Sequence, residues 1–312
     1  MTNDQSRQWR LASRPTGEPT HDNFELVTVS RPEPGPGEVL VRTLYLSVDP
    51  YMRGRMRDAE SYAEPWGVGE PMEAGVVGEV VESNHDAFEQ GDVATGNLLW
   101  ADHAVAHGDE LRQVDPELAP VSTALGVLGM PGITGYFGMT DVADPDPGDT
   151  VVVSAAAGAV GSVAGQVASI AGARVVGVAG SDEKCDWLTD ELGFDAAVNY
   201  QTTDDLTAAL TERCPDGVDC YFDNVGGPIT DAVWGQLNRD ARVAVCGQIS
   251  LYNATEQPTG PRKLGQLIQT RASVEGFLVG DYQDRWGHAL ERLGGFIQRG
   301  DLRYEETVTE GL

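Results

Sequence analysis

Residues 151–165 read Val151-Val-Val-Ser-Ala-Ala-Ala-Gly-Ala-Val-Gly-Ser-Val-Ala-Gly165, and this stretch decides the fold. A β-branched apolar run passes into a turn of small residues and then into an uncharged helical stretch, which reads as buried strand, tight turn and helix. Bare glycines there let backbone N–H groups and a helix N-terminus come close to a pyrophosphate. Against the frame G-x-G-x-x-G, Ala156 stands at the first glycine, Gly158 and Gly161 are in place, and Gly165 follows one turn on. Glycines at such spacings also serve helix–sheet packing, so the motif has to be weighed with its surroundings.

Downstream, apolar runs at 150–154, 174–179, 196–199, 218–223, 241–247 and 273–279 alternate with helical stretches near 159–172, 182–192, 203–214, 228–238, 263–271 and 283–299. That alternation predicts a doubly wound parallel sheet of six strands, whose ligands bind at the carboxyl ends of the strands. Upstream, short runs at 25–29, 39–48, 75–82, 91–96 and 101–106, punctuated by Gly and Pro, predict a small, partly closed β unit. The expected class is therefore α/β, with a β-rich unit over 1–122 and 300–312 and the parallel sheet over 123–299. A chain of 312 residues suits two such units.

Charge narrows the partners. Asp and Glu number 49 against 21 Lys and Arg, a formal net charge of −28, and Lys184 and Lys263 are the only lysines. Such a surface repels nucleic-acid phosphates and anionic lipid alike. Acid excess with lysine scarcity reads as adaptation to concentrated salt and a halophilic source, with an ordinary acidic protein as the alternative. Residues 150–173 carry no charge, yet Gln166 and the glycine breaks fit strand–turn–helix better than a membrane span. Cys185, Cys214, Cys220 and Cys246 show no C-x-x-C spacing, which argues against a disulfide framework or a cysteine-built zinc site. Residues 1–10 hold no apolar run of the secretory kind, so the expected location is cytoplasmic.

The second strand of the parallel sheet ends Val178-Ala-Gly-Ser-Asp-Glu-Lys184. Where an NAD site places an acid for the ribose 2′-hydroxyl, Gly180 and Ser181 stand instead, and one of the two lysines follows, which favours NADP(H). Lys184 as a solvated first-turn residue is the duller alternative, and Asp182 or Glu183 turned inward would repel a phosphate. No metal is expected. The β-rich half has no cysteine, and His103 and His107, four apart in a strand, stand about 13 Å from each other. Without a Lewis acid, hydride delivery to a conjugated C=C is the accessible chemistry, because the carbonyl delocalises the charge and hydrogen-bond donors stabilise the enolate. Tyr252, just past the end of a parallel strand, is the best-placed donor.

Six stretches, Ser47-Val-Asp-Pro-Tyr-Met-Arg53, Gly129-Met-Pro-Gly-Ile-Thr-Gly-Tyr-Phe-Gly138, Ala155-Ala-Ala-Gly-Ala-Val-Gly-Ser162, Gly180-Ser-Asp-Glu-Lys184, Tyr221-Phe-Asp-Asn-Val-Gly-Gly227 and Cys246-Gly-Gln-Ile-Ser-Leu-Tyr-Asn253, together resemble the zinc-independent medium-chain reductases. Within them the likeness is to the prostaglandin reductase / leukotriene B4 12-hydroxydehydrogenase group, with the alkenal double-bond and curcumin reductases, and it covers nearly the whole chain. The resemblance implies a GroES-like catalytic unit, an NADPH-binding Rossmann unit and a homodimer. It places Gly158, Ala159, Val160, Gly161 and Ser162 at the pyrophosphate, and Ser181, Lys184 and Tyr200 around the 2′-phosphate. Asn224, Cys246, Gly247, Tyr252 and Phe277 fall on the ribose and nicotinamide side with Met130 and Thr134, while Tyr51, Tyr62 and Tyr252 face the substrate. It also implies a helix and a strand beyond the equivalent of Leu312. The expected activity is NADPH-dependent reduction of the C=C bond of 2-alkenals and enones; a quinone reductase of the same superfamily and an NADP-binding protein without turnover are the alternatives.

Overall fold

A computed structural model describes residues 4–312. It divides into two units, one reaching from the N-terminus to Leu125 together with Thr307–Leu312, the other Gly126–Glu306.

In the first unit, β1 (Gln5–Leu11) pairs antiparallel with β2 (Phe24–Ser30). A five-stranded antiparallel sheet holds β3 (Glu38–Leu46), β4 (Glu73–Ser83), β5 (Val93–Leu99), β6 (His103–His107) and β7 (Arg112–Gln113) in the order β6-β3-β4-β5-β7. A single helical turn, α1 (Met52–Arg55), follows β3. Val39 and Val41, then Val76 and Val80, share a core with Leu11, Met52 and Trp66, as the two-residue period of a half-buried strand requires. The sequence reading has no strand over β1. Its inward positions include Ser6 and Gln8, so apolar alternation is masked by polar residues that are satisfied locally: Ser6 Oγ accepts the His103 N–H at 3.1 Å.

The second unit runs α2 (Met130–Phe137), β8 (Thr150–Ser154), α3 (Ala159–Ile170), β9 (Arg174–Ala179), α4 (Asp182–Asp190), β10 (Ala196–Asn199), α5 (Leu206–Arg213), β11 (Val218–Asp223), α6 (Gly227–Trp234), β12 (Leu237–Val245), α7 (Gly265–Thr270), β13 (Ser273–Gly276) and α8 (Trp286–Arg299). The six strands are parallel, in the order β10-β9-β8-β11-β12-β13. Buried on both faces, β8 sends Val151 and Val153 into a core shared with Val163, Phe137 and Leu293. Val152 goes to the opposite core with Leu210, Ile229 and Val233. This is the two-unit α/β architecture expected from the sequence, with the first four strands of the sheet at their expected bounds.

Several bounds differ, and β12 opens at Leu237 instead of 241. β12 stops at Val245 instead of 247, because the N–H groups of Cys246 and Gly247 both turn to the Asp223 carbonyl at 2.9 and 3.0 Å. β13 ends at Gly276. Helix α2 has a weak helical signal in the sequence, since one proline and two glycines lower helix propensity. Pro131 falls in its first turn, where no N–H is required. Gly135 faces the Val160 carbonyl oxygen, which a Cβ would approach to 2.8 Å, so the small residues let α2 pack close on α3.

Candidate functional site

The chain leaves β8 toward β9 and β10 on one side, then crosses back to β11 on the other. At the carboxyl ends of β8 and β11 this reversal opens the crevice where doubly wound sheets bind ligands. Ala155 turns the chain there with φ of 47°, and its carbonyl accepts the Gly158 N–H at 2.9 Å. Ala156 can replace the first glycine of the frame because the left-handed residue is Ala155. The Ala156 methyl is fully buried, and a Cβ on Gly177 would come within 3.0 Å of it. Gly161 is required: a Cβ there would run into the Ala155 carbonyl oxygen. Gly158 is the N-cap of α3 and offers no side-chain acceptor, whereas Ser181 caps α4 and Asp205 caps α5 with theirs. The first-turn N–H groups of α3 therefore remain to bind an anion, aided by the helix dipole. Gly158 and Ala159 are exposed, Val160 half-buried, and Gly161 and Ser162 buried. These residues fit a pyrophosphate.

Ser181 and Tyr200 follow the ends of neighbouring strands β9 and β10. Gly180 lets the Tyr200 phenol come close, since a Cβ there would stand 3.2 Å from its oxygen. Ser181 Oγ accepts the Lys184 N–H at 3.3 Å, and Lys184 is exposed in the first turn of α4. Asp182 does not turn toward this group; its carboxylate accepts from Asn199 Nδ2 at 2.7 Å. The structure thus brings Ser181, Lys184 and Tyr200 to one end of the sheet.

Beyond β11, Asn224 ties the crevice together: its N–H donates to Ser154 Oγ at 2.9 Å and its Nδ2 to the Ser154 carbonyl at 2.7 Å. A Cβ on Gly247 would lie 3.2 Å from the Asn224 carbonyl oxygen and 3.3 Å from the Tyr252 phenol oxygen, so these groups surround a bare Cα. The half-buried Tyr252 also accepts the Gln248 N–H at 3.5 Å. Burial, with Asp223 behind it, pushes the Cys246 thiol up to about 12, so it is a small apolar wall and not a nucleophile. Phe277 meets Phe222 edge-on at 6.1 Å, in space that Gly138 leaves open. Thr134, buried in α2, donates to the Met130 carbonyl at 2.7 Å.

The sequence reading passed over Asp223. Its carboxylate is 1% exposed and accepts from Tyr221, Ser154, Thr230, Gln248 and the N–H groups of Val225 and Gly226. The available signal was an acid closing an otherwise largely apolar strand at its carboxyl end.

Comparisons with known proteins agree with this geometry. Residues 7–114 match the family model described as the N-terminal domain of oxidoreductase, and 159–294 that described as zinc-binding dehydrogenase. The NADPH-dependent curcumin reductase of Escherichia coli is 45% identical over 312 residues, 98% of this chain and 90% of that one. The 2-alkenal reductase (NADP(+)-dependent) of Nicotiana tabacum is 43% identical over 312 residues, covering 98% and 91%. The crystal structure of CurA in complex with NADPH from Vibrio vulnificus superposes with a TM-score of 0.93 at 44% identity, covering 98% of this chain and 92% of that one. This chain is a medium-chain reductase.

In this medium-chain reductase, Tyr51 and Tyr62 belong to the first unit. Tyr51 packs on its core, and burial together with nearby Asp49 raises its phenol above the ordinary value. Tyr62 is 64% exposed. His103 and His107 sit at the two ends of β6. His107 has company that the spacing did not reveal: His85 and Asp109 bring their ligand atoms within 4.8 Å of its own. The Ala87 N–H donates to His85 Nδ1 at 3.2 Å, so a neutral ring carries its hydrogen on Nε2, which faces Asp109 Oδ1 at 3.2 Å. In that tautomer the contact is a hydrogen bond from ring to carboxylate. Among the described residues, no other group of three His, Cys, Asp or Glu side chains is assembled, including across the span that matches the zinc-binding dehydrogenase model. No helix among them is long and apolar enough to cross a membrane.

Proposed function

We propose that this medium-chain reductase uses NADPH to reduce the C=C bond of α,β-unsaturated aldehydes and ketones. The observation that carries the reading is the α3 N-terminus, uncapped and opened by Gly161 at the sheet's reversal point, in a chain 43–45% identical to a curcumin and a 2-alkenal reductase. When bound, the coenzyme supplies the hydride. Gly158, Ala159, Val160, Gly161 and Ser162 hold its pyrophosphate, and Ser181, Lys184 and Tyr200 its 2′-phosphate. Asn224, Cys246, Gly247 and Phe277, with Met130 and Thr134, shape the nicotinamide side. Tyr252 donates a hydrogen bond toward the carbonyl oxygen of the substrate, where negative charge grows as hydride arrives at the β-carbon. The protein's work is orientation and charge stabilisation. Tyr51 and Tyr62 join the proposal as substrate-facing phenols on the family resemblance alone.

The proposal divides labour between a β-rich catalytic unit and a coenzyme-binding unit, and extends to a cytoplasmic homodimer. All four cysteines are free thiols, which suits a reducing compartment. β13 is exposed at all four residues on the open edge of the sheet, and Leu264 and Ile268, in the segment that precedes it, are 72% and 82% exposed. An uncovered edge with apolar neighbours invites pairing with a second copy.

The test is NADPH consumption with a small enal, an enone, 1,4-naphthoquinone and no acceptor, each repeated with NADH. Oxidation by the enal and enone, with NADPH strongly preferred, is the expected result. Turnover on the quinone alone would replace the reading with quinone reduction, and tight NADPH binding without any turnover would make the chain a binding protein.

A further inference from the structure

Resting on the reading above, the geometry assigns a role to a residue that the proposed chemistry does not use: we propose that Asp223 is a positioning residue, whose carboxylate fixes through Gln248 where the Tyr252 phenol stands. The two oxygens of Asp223 have different duties. Oδ1 accepts from Val225 N–H at 3.0 Å, Gly226 N–H at 2.9 Å, Tyr221 Oη at 2.9 Å and Ser154 Oγ at 3.2 Å. Those bonds close the turn after β11 and hold it against β8, work that the single oxygen of an asparagine performs as well. Oδ2 takes no part in the turn. It accepts from Thr230 Oγ1 at 2.7 Å and from Gln248 Nε2 at 2.9 Å.

A carboxylate buried to 1%, with no ion-pair partner among the described residues, is disfavoured unless donors saturate it, so the second oxygen needs a reason. Gln248 supplies one. Its side-chain amide is held by Asp223 Oδ2 and by the Gly247 carbonyl at 3.0 Å, while its backbone N–H donates to Tyr252 Oη at 3.5 Å. The Gln248 side-chain oxygen occupies space that Gly226 leaves by lacking a Cβ. A line of contacts therefore runs from the acid at the end of β11, through the residue after Gly247, to the phenol proposed as donor. Asp223 acts through Gln248 and touches neither coenzyme nor substrate in this proposal.

The experiment uses the full chain. Asp223→Asn keeps an oxygen for the turn but places an NH2 opposite two donors. NADPH affinity is read by coenzyme fluorescence without substrate, kcat and KM with an enone, and protection of the Val225 and Gly226 amides by hydrogen exchange without coenzyme. The expected result is a loss of about 30-fold or more in kcat, with NADPH affinity and amide protection both within about threefold of the parent. Retention of kcat within threefold would overturn the proposal. So would parallel loss of kcat, affinity and protection, which would mean that the acid merely holds the turn. If Asp223→Asn does not fold, Thr230→Val and Thr230→Ser decide: a kcat loss of about threefold or more in the first, restored by the second, supports the proposal, and parental kcat in both overturns it. Parent turnover is measured first. A parent inactive on every acceptor sinks the reductase reading and this inference with it, whereas an active parent confines any failure to Asp223.

Discussion

At the residue scale the proposed preference for NADPH turns on one side chain in a protein nearly free of its type. Lys184 stands in the first turn of α4, after the Ser181 cap, while Asp182 is tied to Asn199. A lysine at a phosphate makes a charge-assisted bond of about 1.5–3 kcal/mol. Lys184→Ala should therefore raise the Kd for NADPH by about 10- to 100-fold and leave NADH untouched, which fluorescence titration with both coenzymes checks. Equal losses with the two would place Lys184 outside the phosphate site. Lys184 is conspicuous in the sequence because of composition, and at Gly161 steric need leaves few substitutes. Asp223 is not conspicuous, since its meaning lies in partners up to 69 residues distant in sequence. His85 joins His107 for the same reason: residues far apart in sequence bring their ring centroids within 5.7 Å of each other.

At the element scale, legibility followed the density of local signal. Buried parallel strands such as β8 and β9 announce themselves by unbroken apolar runs, and both lie at their expected bounds. β1 does not, because what holds it is specific pairing: Arg7 donates to Asp102 through its backbone N–H at 2.7 Å and its guanidinium at 2.9 and 3.0 Å. Burial alone would raise the Asp102 carboxyl, but these bonds from Arg7 outweigh it, and the group titrates below its ordinary value. The linkage has a definite sign. A carboxyl whose folded value is depressed contributes stability that is present above the unfolded value, about 3.9, and is lost as pH falls through the folded one. Denaturant titrations from pH 6 to pH 2.5 should show Asp102→Asn less stable than the parent at the upper end, with the gap closing below about pH 4. A gap that does not change with pH would mean that the pair contributes through packing alone. Both groups are partly exposed, so the gap at pH 6 should be modest.

At the scale of the whole molecule, the excess of 49 acidic over 21 basic residues acts on all elements at once. With 21 Lys and Arg for 49 acids, ion pairs such as Arg7–Asp102, Arg174–Asp195 and Arg242–Asp149 engage only a minority of the carboxylates, and these lie at partly exposed side chains. Most carboxylates therefore repel one another across the surface, a compact fold feels that repulsion more than an extended chain, and nothing in the pairing relieves it. Added salt does: the screening length falls from about 10 Å at 0.1 M to about 3 Å at 1 M, shorter than most spacings between surface charges. Thermal unfolding followed in KCl from 0.1 to 3 M should show Tm climbing steeply over the first molar. A continued rise beyond that, where screening is already complete, would mark carboxylates that organise water and cations, and would favour the high-salt origin that the lysine-poor composition suggests. A plateau above 1 M would reduce the charge to plain repulsion, and a Tm indifferent to salt from the start would show that the acids are spaced widely enough not to matter.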